Sequence, residues 1–238
     1  VTGRAAYTDE QHQPEGMLSL YPVQSPHAHA RIVRIEADAI LAIPGVVAVL
    51  TAADIPGEND TGPIRHDEPL IPVDTVEFHG QAVAWVLAED EATAMRAAGQ
   101  VKVDYEPFSP CVGIAAAMAS RRYHGDPAFV RRGDADAGLA NAPIRLTGEV
   151  EIGGQDHFYL ETQASWAQVD SEGLVQITSS TQHPSETQHI VARVLGLPSN
   201  RVVCQSLRMG GGFGGKETQA NPYAAVAALA AWKSHRPV

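Results

Sequence analysis

The sequence predicts an α+β fold, and three observations lead there. The first hundred residues alternate short apolar, β-branched runs with one Ala-rich helical stretch. From Ser165 onward, strand signals again flank a punctuated amphipathic helix. Between them, residues 107–143 lack apolar periodicity and carry Pro, Ala, Gly and Asp instead. With 238 residues, 44% hydrophobic and 19% charged, the chain has the composition of ordinary globular proteins and room for one large or two modest domains.

Taken in order, Met17 to Tyr21 and Ala30 to Ile35 read as strands, and Ala37 to Ile43 as a short helix stopped by Pro44-Gly45. Val46 to Leu50 reads as a buried strand. A polar Pro/Gly loop covers Pro56 to Pro69, and Gln81 to Ala88 is the next buried strand. Asp90 is placed to cap a helix running to about Ala98, and Val101 to Tyr105 alternates as a half-buried strand. The first module therefore spans 1–106. Residues 107–143 read as a surface connector. The second module, 144–238, opens with a strand at Leu146 to Ile152 and has further strands at Ser165 to Asp170, Leu174 to Thr178 and Arg201 to Leu207. Pro184 at a first turn, Ile190, Val191, Val194 and Leu195 on one face, and Gly196 past the end mark a helix. Tyr223 to Trp232 is a long apolar segment.

Charge and cysteines exclude several functions. With 17 Lys and Arg against 28 Asp and Glu, the net charge of -11 leaves no overall phosphate-neutralising surface, so nucleic acid is not an expected partner. Cys111 and Cys204 stand alone, which suggests neither a disulfide framework nor a zinc knuckle and points to a reducing, cytoplasmic compartment. No signal peptide or membrane span is expected. The start at Val1 and the stop after an apolar segment read as a piece of a longer protein.

The sharpest motif is Arg208-Met209-Gly210-Gly211-Gly212-Phe213-Gly214-Gly215-Lys216-Glu217, with five glycines in six positions, between a predicted strand and a predicted helix. Such a loop can bring backbone N–H groups directly against a ligand; its bland reading is a tight turn. It satisfies P-loop spacing through Gly210, Gly215 and Lys216, but Glu217 stands where Ser or Thr would hold magnesium. It also fits a dinucleotide glycine pattern, yet no Asp or Glu follows between Thr218 and Val238 to hold a ribose.

A second motif is Gly153-Gly154-Gln155-Asp156-His157-Phe158-Tyr159-Leu160-Glu161, where Gln155 could offer an amide N–H beside a cofactor, or the glycines could form a β-bulge. His157, Tyr159 and Glu161 are candidate acid/base groups, but on a strand their expected work is holding the core together. In Thr181-Gln182-His183-Pro184-Ser185-Glu186, helix capping is the favoured account, since His183 and His189 are six apart and do not share a helix face. His27 and His29 have no thiol or carboxylate to complete a metal site and read as surface residues. No Gly-x-Ser-x-Gly elbow is present.

These three motifs, in this order, resemble the molybdenum hydroxylases, the xanthine dehydrogenase and aldehyde oxidase family, and Val1 to Asp9 is similar to the start of that family's α/β-hammerhead domain. The resemblance implies a hammerhead domain followed by the first part of an α+β molybdopterin-binding domain. It implies a molybdenum-molybdopterin cofactor and hydroxylation of an electron-poor carbon with oxygen drawn from water. It further implies 2Fe-2S, FAD and NAD carried by other domains or subunits, and the remainder of the molybdenum subunit as a partner.

By the same resemblance, Gln155 hydrogen-bonds an oxygen ligand of molybdenum, Gly154, Gln155, Gly212, Phe213 and Gly214 bind the cofactor, and no residue ligates the metal directly. Glu217 matches the residue that holds a purine, so the implied substrates are hypoxanthine and xanthine, taken to urate. Gln155 and Glu217 are thus the catalytic-site expectations. The family's general base has no counterpart after Glu217, so this chain alone is expected to be inactive. An aldehyde or N-heterocycle oxidoreductase of the same family, or a non-catalytic ligand-binding or assembly module, are the rivals.

Overall fold

The computed structural model describes residues 3–11 and 13–238; Val1 and Thr2 of the opening motif, and His12, lie outside the described residues. The strands and helices follow the chain as β1 (Ser19–Gln24), β2 (Ala30–Glu36), β3 (Val46–Leu50), β4 (Thr75–Val76), β5 (Ala82–Ala88), α1 (Glu91–Ala98) and β6 (Lys102–Pro107). Then come α2 (Ile114–Ser120), α3 (Ala135–Ala140), β7 (Ser165–Val169), β8 (Val175–Ser179), α4 (Pro184–Leu195), β9 (Val202–Gln205) and α5 (Asn221–Ser234). They form three three-stranded sheets, in the orders β1-β5-β3, β4-β2-β6 and β7-β8-β9. The first two are antiparallel throughout, whereas β8 and β9 run parallel with α4 as their crossover.

Local chemistry explains most boundaries. The Asp90 carboxylate accepts from the Thr93 N–H at 2.8 Å and starts α1. Pro184 opens α4, and Gly196, with φ +65°, ends it in the left-handed conformation. Strand β5 is apolar along its length and buried at Val83, Ala84, Val86, Leu87 and Ala88 because two hydrophobic clusters flank it. Helix α5 is apolar on all sides, with every residue from Ala224 to Ala231 buried against β7, β8 and α4.

Packing divides the chain into two bodies. Residues through Phe108 and from His157 onward make one, and Ser109–Asp156 makes the other. The first has a common core in which Leu18, Leu50, Leu70, Ile71 and Leu87 join Ala167, Ile177, Val191, Val194 and the α5 alanines. Its two halves are also joined at the C-terminus of α4. There the Gly57 and Glu58 N–H groups donate to the Val194 and Arg193 carbonyls at 3.0 and 3.1 Å, satisfying acceptors that a helix end leaves open. Arg193 returns three hydrogen bonds, to the Asp60 carbonyl, the Asp60 carboxylate and the Gly62 carbonyl. No helix of the described residues is long and apolar enough to cross a membrane.

The structure departs from the sequence reading at several elements, including the two helices α2 and α3 within the expected connector 107–143. Strand β1 begins two residues later than Met17, and the expected helix at Ala37 to Ile43 is a single 3-10 turn at Ile40–Ala42. Val46 to Leu50 is a strand, but only Leu50 in it is buried. Leu146 to Ile152 is not a strand: Ile144, Leu146, Val150 and Ile152 are all at least 78% exposed. Alternation supplies a face but not a neighbour, and these residues have no pairing strand among those described. The 109–156 body holds α2 and α3, the latter capped by Asp134, and neither helix buries a residue.

Candidate functional site

Because β8 and β9 run parallel, the segments leaving their carboxyl ends emerge on one edge of the sheet. After β8 comes Ser180 to His183, and after β9 comes the glycine loop, which leads into α5. Gly212, Phe213, Gly214 and Glu217 of the expected site are therefore together on one loop of the larger body. Gly154 and Gln155 lie in the 109–156 body, exposed, with open space where a Cβ of Gly154 would stand.

Three glycines of the loop face the protein itself rather than a ligand. A Cβ on Gly210 would come 2.5 Å from the Glu161 Cβ, one on Gly212 would meet Gln182 Oε1 at 2.5 Å, and one on Gly215 would meet the Tyr159 ring at 2.7 Å. The amides are shared out in the same way. Gly210 N–H donates to the Glu161 carboxylate at 2.6 Å, and Gly214 and Lys216 N–H both donate to Gln182 Oε1, at 2.9 and 3.2 Å. Gln163 Nε2 donates to the Gly215 carbonyl at 3.3 Å.

Toward the outside the loop is open at Phe213 and Gly214, which are exposed, whereas Gly212 is buried. The N–H groups of Gly211, Gly212 and Phe213 have no acceptor among the described residues. Gly211 (φ +102°), Phe213 (φ +52°) and Gly214 (φ +95°) are left-handed while Gly212 is not. For a phenylalanine this conformation is strained, and the residue is 77% exposed. Glu217 is exposed and has no hydrogen bond or ion pair among the described residues. A strained aromatic beside free amides and a free carboxylate can take an oxygen-rich anionic group on the amides and an N–H donor on the carboxylate.

Lys216 closes the P-loop reading, because its side chain is fully buried and does not reach the open side of the loop. Its Nζ is bonded to Glu161 and Ser180. Burial pushes the Glu161 carboxyl up, but hydrogen bonds from Gly210 N–H, Ser180 Oγ and Thr8 N–H, with the Lys216 charge, outweigh it and hold the group below the usual carboxylate range. His157, Tyr159 and Glu161 lie on irregular chain outside every strand, with Phe158 at φ +46°, and Tyr159 and Glu161 brace the loop, the structural work expected of them.

Gln182 is the residue that sequence reasoning passed over. It lies in the segment expected to cap α4, but the N-cap is His183, which makes no side-chain cap bond, and the Thr181 Oγ1, ahead of the cap, accepts from His183 N–H at 3.1 Å. The amide that the structure sets against the glycine loop is Gln182. Its Oε1 is committed to two loop N–H groups, which leaves Nε2 as the available donor. The expectation placed that amide at Gln155. The signal that could have found Gln182 is its position, directly after a strand whose parallel neighbour leads into the glycine loop.

Comparison with known proteins follows the same lines. Residues 119–238 match the molybdopterin cofactor-binding domain, and residues 2–109 match the aldehyde oxidase and xanthine dehydrogenase a/b hammerhead domain. The chain is 42% identical over 241 residues to a xanthine dehydrogenase of Drosophila subobscura, covering all of this chain but 18% of that protein. Among solved structures it is similar to the aldehyde oxidoreductase of Desulfovibrio gigas (TM-score 0.88, 29% identity) and to quinoline 2-oxidoreductase of Pseudomonas putida 86 (TM-score 0.85, 28% identity). Both similarities cover all of this chain, and 28% and 32% of those chains. The chain belongs to the aldehyde oxidase and xanthine dehydrogenase family of molybdenum hydroxylases, with a hammerhead domain followed by molybdopterin cofactor-binding sequence.

Proposed function

We propose that this chain supplies one wall of the molybdenum site of a purine-oxidising hydroxylase, which takes hypoxanthine and xanthine to urate with oxygen from water. The observation that carries the reading is Glu217, an exposed carboxylate with no partner among the described residues, at the end of a loop with three amides that none of those residues claims. A purine carries ring N–H groups from which such a carboxylate can accept hydrogen bonds, whereas an aldehyde group carries none. Names among the similar proteins span xanthine, aldehyde and quinoline substrates, so the carboxylate is what favours the purine.

The residues present suit the cofactor. The free N–H groups of Gly211, Gly212 and Phe213 and the Gln182 Nε2 are neutral donors, the kind that hold oxo and phosphate oxygens without adding charge. When bound, the molybdenum cofactor supplies the two-electron redox and oxygen-transfer chemistry. The chain's own contribution is to present donors, to orient the purine through Glu217, and to hold the Phe213-Gly214 backbone at the cofactor. Gln155, exposed beside Gly154, is the alternative amide. The iron-sulfur, FAD and NAD steps belong to other domains or subunits, and the chain by itself is expected not to turn over.

The test is a panel in the complete enzyme. Glu217→Ala is expected to lower kcat/KM for xanthine by about tenfold to a hundredfold, the worth of a hydrogen bond to a charged group, and to affect an aldehyde much less. Equal loss on both substrates, or no loss, refutes the purine assignment. Gln182→Ala is expected to weaken catalysis and Gln155→Ala to do so less; the reverse order returns the amide role to Gln155.

A further inference from the structure

Lys216 is the largest side chain in the described residues with essentially no solvent exposure. A lysine ammonium is costly to strip of water unless each of its three protons is satisfied. Here Nζ donates to the Glu161 carbonyl at 2.6 Å, to Ser180 Oγ at 2.7 Å and to Glu161 Oε2 at 3.3 Å, and it lies 4.7 Å from the centre of the Tyr159 ring. Glu161, 9% exposed, accepts in turn from Ser180 Oγ and from Gly210 N–H, each at 2.6 Å.

Two consequences follow from this connectivity. The network grips the glycine loop at both ends, Gly210 through Glu161 and residue 216 through its own side chain, while the four glycines between have the most permissive backbone available. It also takes residue 216 inward, next to an exposed residue 217. Buried ion pairs seldom outdo apolar side chains of the same size in stability, so this arrangement calls for a reason other than stability. Holding one loop shape out of many is such a reason.

We propose that Lys216 and Glu161 are positioning residues, a buried pair that sets the glycine loop in the one shape that turns Phe213, Gly214 and Glu217 outward for cofactor and substrate. The identity of cofactor and substrate rests on the reading above; the shape of the loop does not.

The experiment compares the complete enzyme with Lys216→Met, Glu161→Gln and the double variant, by hydrogen exchange of the peptide covering 210–217, molybdenum per protein, the KM for xanthine and the thermal midpoint. Lys216→Met is expected to speed loop exchange at least tenfold, to lower molybdenum content and to raise KM at least fivefold. The double variant, with no unpaired charge, is expected to recover most of the thermal midpoint but not loop order or KM, a separation that a purely stabilising pair does not give. A double variant with wild-type exchange and KM overturns the proposal. If Lys216→Met does not fold, Ser180→Ala keeps both charges and removes one bond to each. Exchange at least threefold faster in the loop then supports the proposal, and wild-type exchange overturns it. A wild-type enzyme without molybdenum or xanthine turnover refutes the functional reading, and loop exchange still decides the positioning role.

Discussion

Gly212→Ala tests why the loop is rich in glycine. The φ of Gly212 is not left-handed, so the substitution probes crowding and not backbone strain. A Cβ there would stand 2.5 Å from Gln182 Oε1, 2.8 Å from its Cδ and 3.0 Å from its Cγ. Ordinary contact begins near 3.4 Å, so the carboxamide must retreat by about 1 Å. A retreat of that size takes Oε1 out of hydrogen-bond range of Gly214 and Lys216 N–H, now at 2.9 and 3.2 Å. Two such bonds contribute about 2 kcal/mol net, or roughly thirtyfold in the local opening equilibrium. The assay is hydrogen exchange of the 210–217 peptide in cofactor-stripped complete enzyme, with Gly138→Ala, which meets nothing within 4 Å, as the control. If Gly212→Ala exchanges like wild type without cofactor and suffers only in cofactor loading, the glycine serves ligand approach and the packing explanation is wrong.

Three further outcomes are expected. Gly57→Ala would drive a Cβ to 2.2 Å from the Arg193 carbonyl and 2.4 Å from Gly196 N, both backbone atoms, and should lower stability by about 2–4 kcal/mol; a thermal midpoint equal to wild type would show that this junction is looser than described. Arg193→Met removes three hydrogen bonds to residues 60 and 62 and should speed exchange in 57–62 while sparing the 210–217 peptide, as a peptide-resolved comparison would reveal. Burial pushes the Asp60 carboxyl up, but the hydrogen bonds from His66 and the Gly62 and Glu68 amides, with the Arg193 charge, outweigh it and hold it low. Its stabilisation is complete above the ordinary carboxylate range and is lost as pH falls through its lowered value, so between about pH 4 and 2 the wild-type midpoint should drop more steeply than that of Asp60→Asn.

What the sequence disclosed and what it withheld divide by range. Asp90, Pro184 and Gly196 speak about neighbours three or four residues away, and the helices they delimit are where they were expected. The apolar run before Trp232 is a buried helix for the same reason, since no polar face interrupts it. Leu146 to Ile152 misled because alternation describes one strand and says nothing about its partner. The site was half legible. A glycine loop between a strand and a helix could be seen, but a missing Cβ looks the same whether a ligand or another part of the chain fills its place. Gln182 lies 32 and 34 residues from the amides it accepts, and Lys216 is 55 from Glu161; no spacing rule reaches that far.

The shared core has a consequence for how the protein is made. Leu18, Leu50 and Leu87 are covered by side chains that include those of α4 and α5, which leave the ribosome only after the whole of 109–156 has been synthesised. At ordinary elongation rates the first module waits on the order of ten seconds with that apolar face bare. A nascent chain in this interval is a natural client for a holding chaperone. A ribosome stalled between β6 and α4 would leave a product that aggregates, although the hammerhead sequence in it is complete.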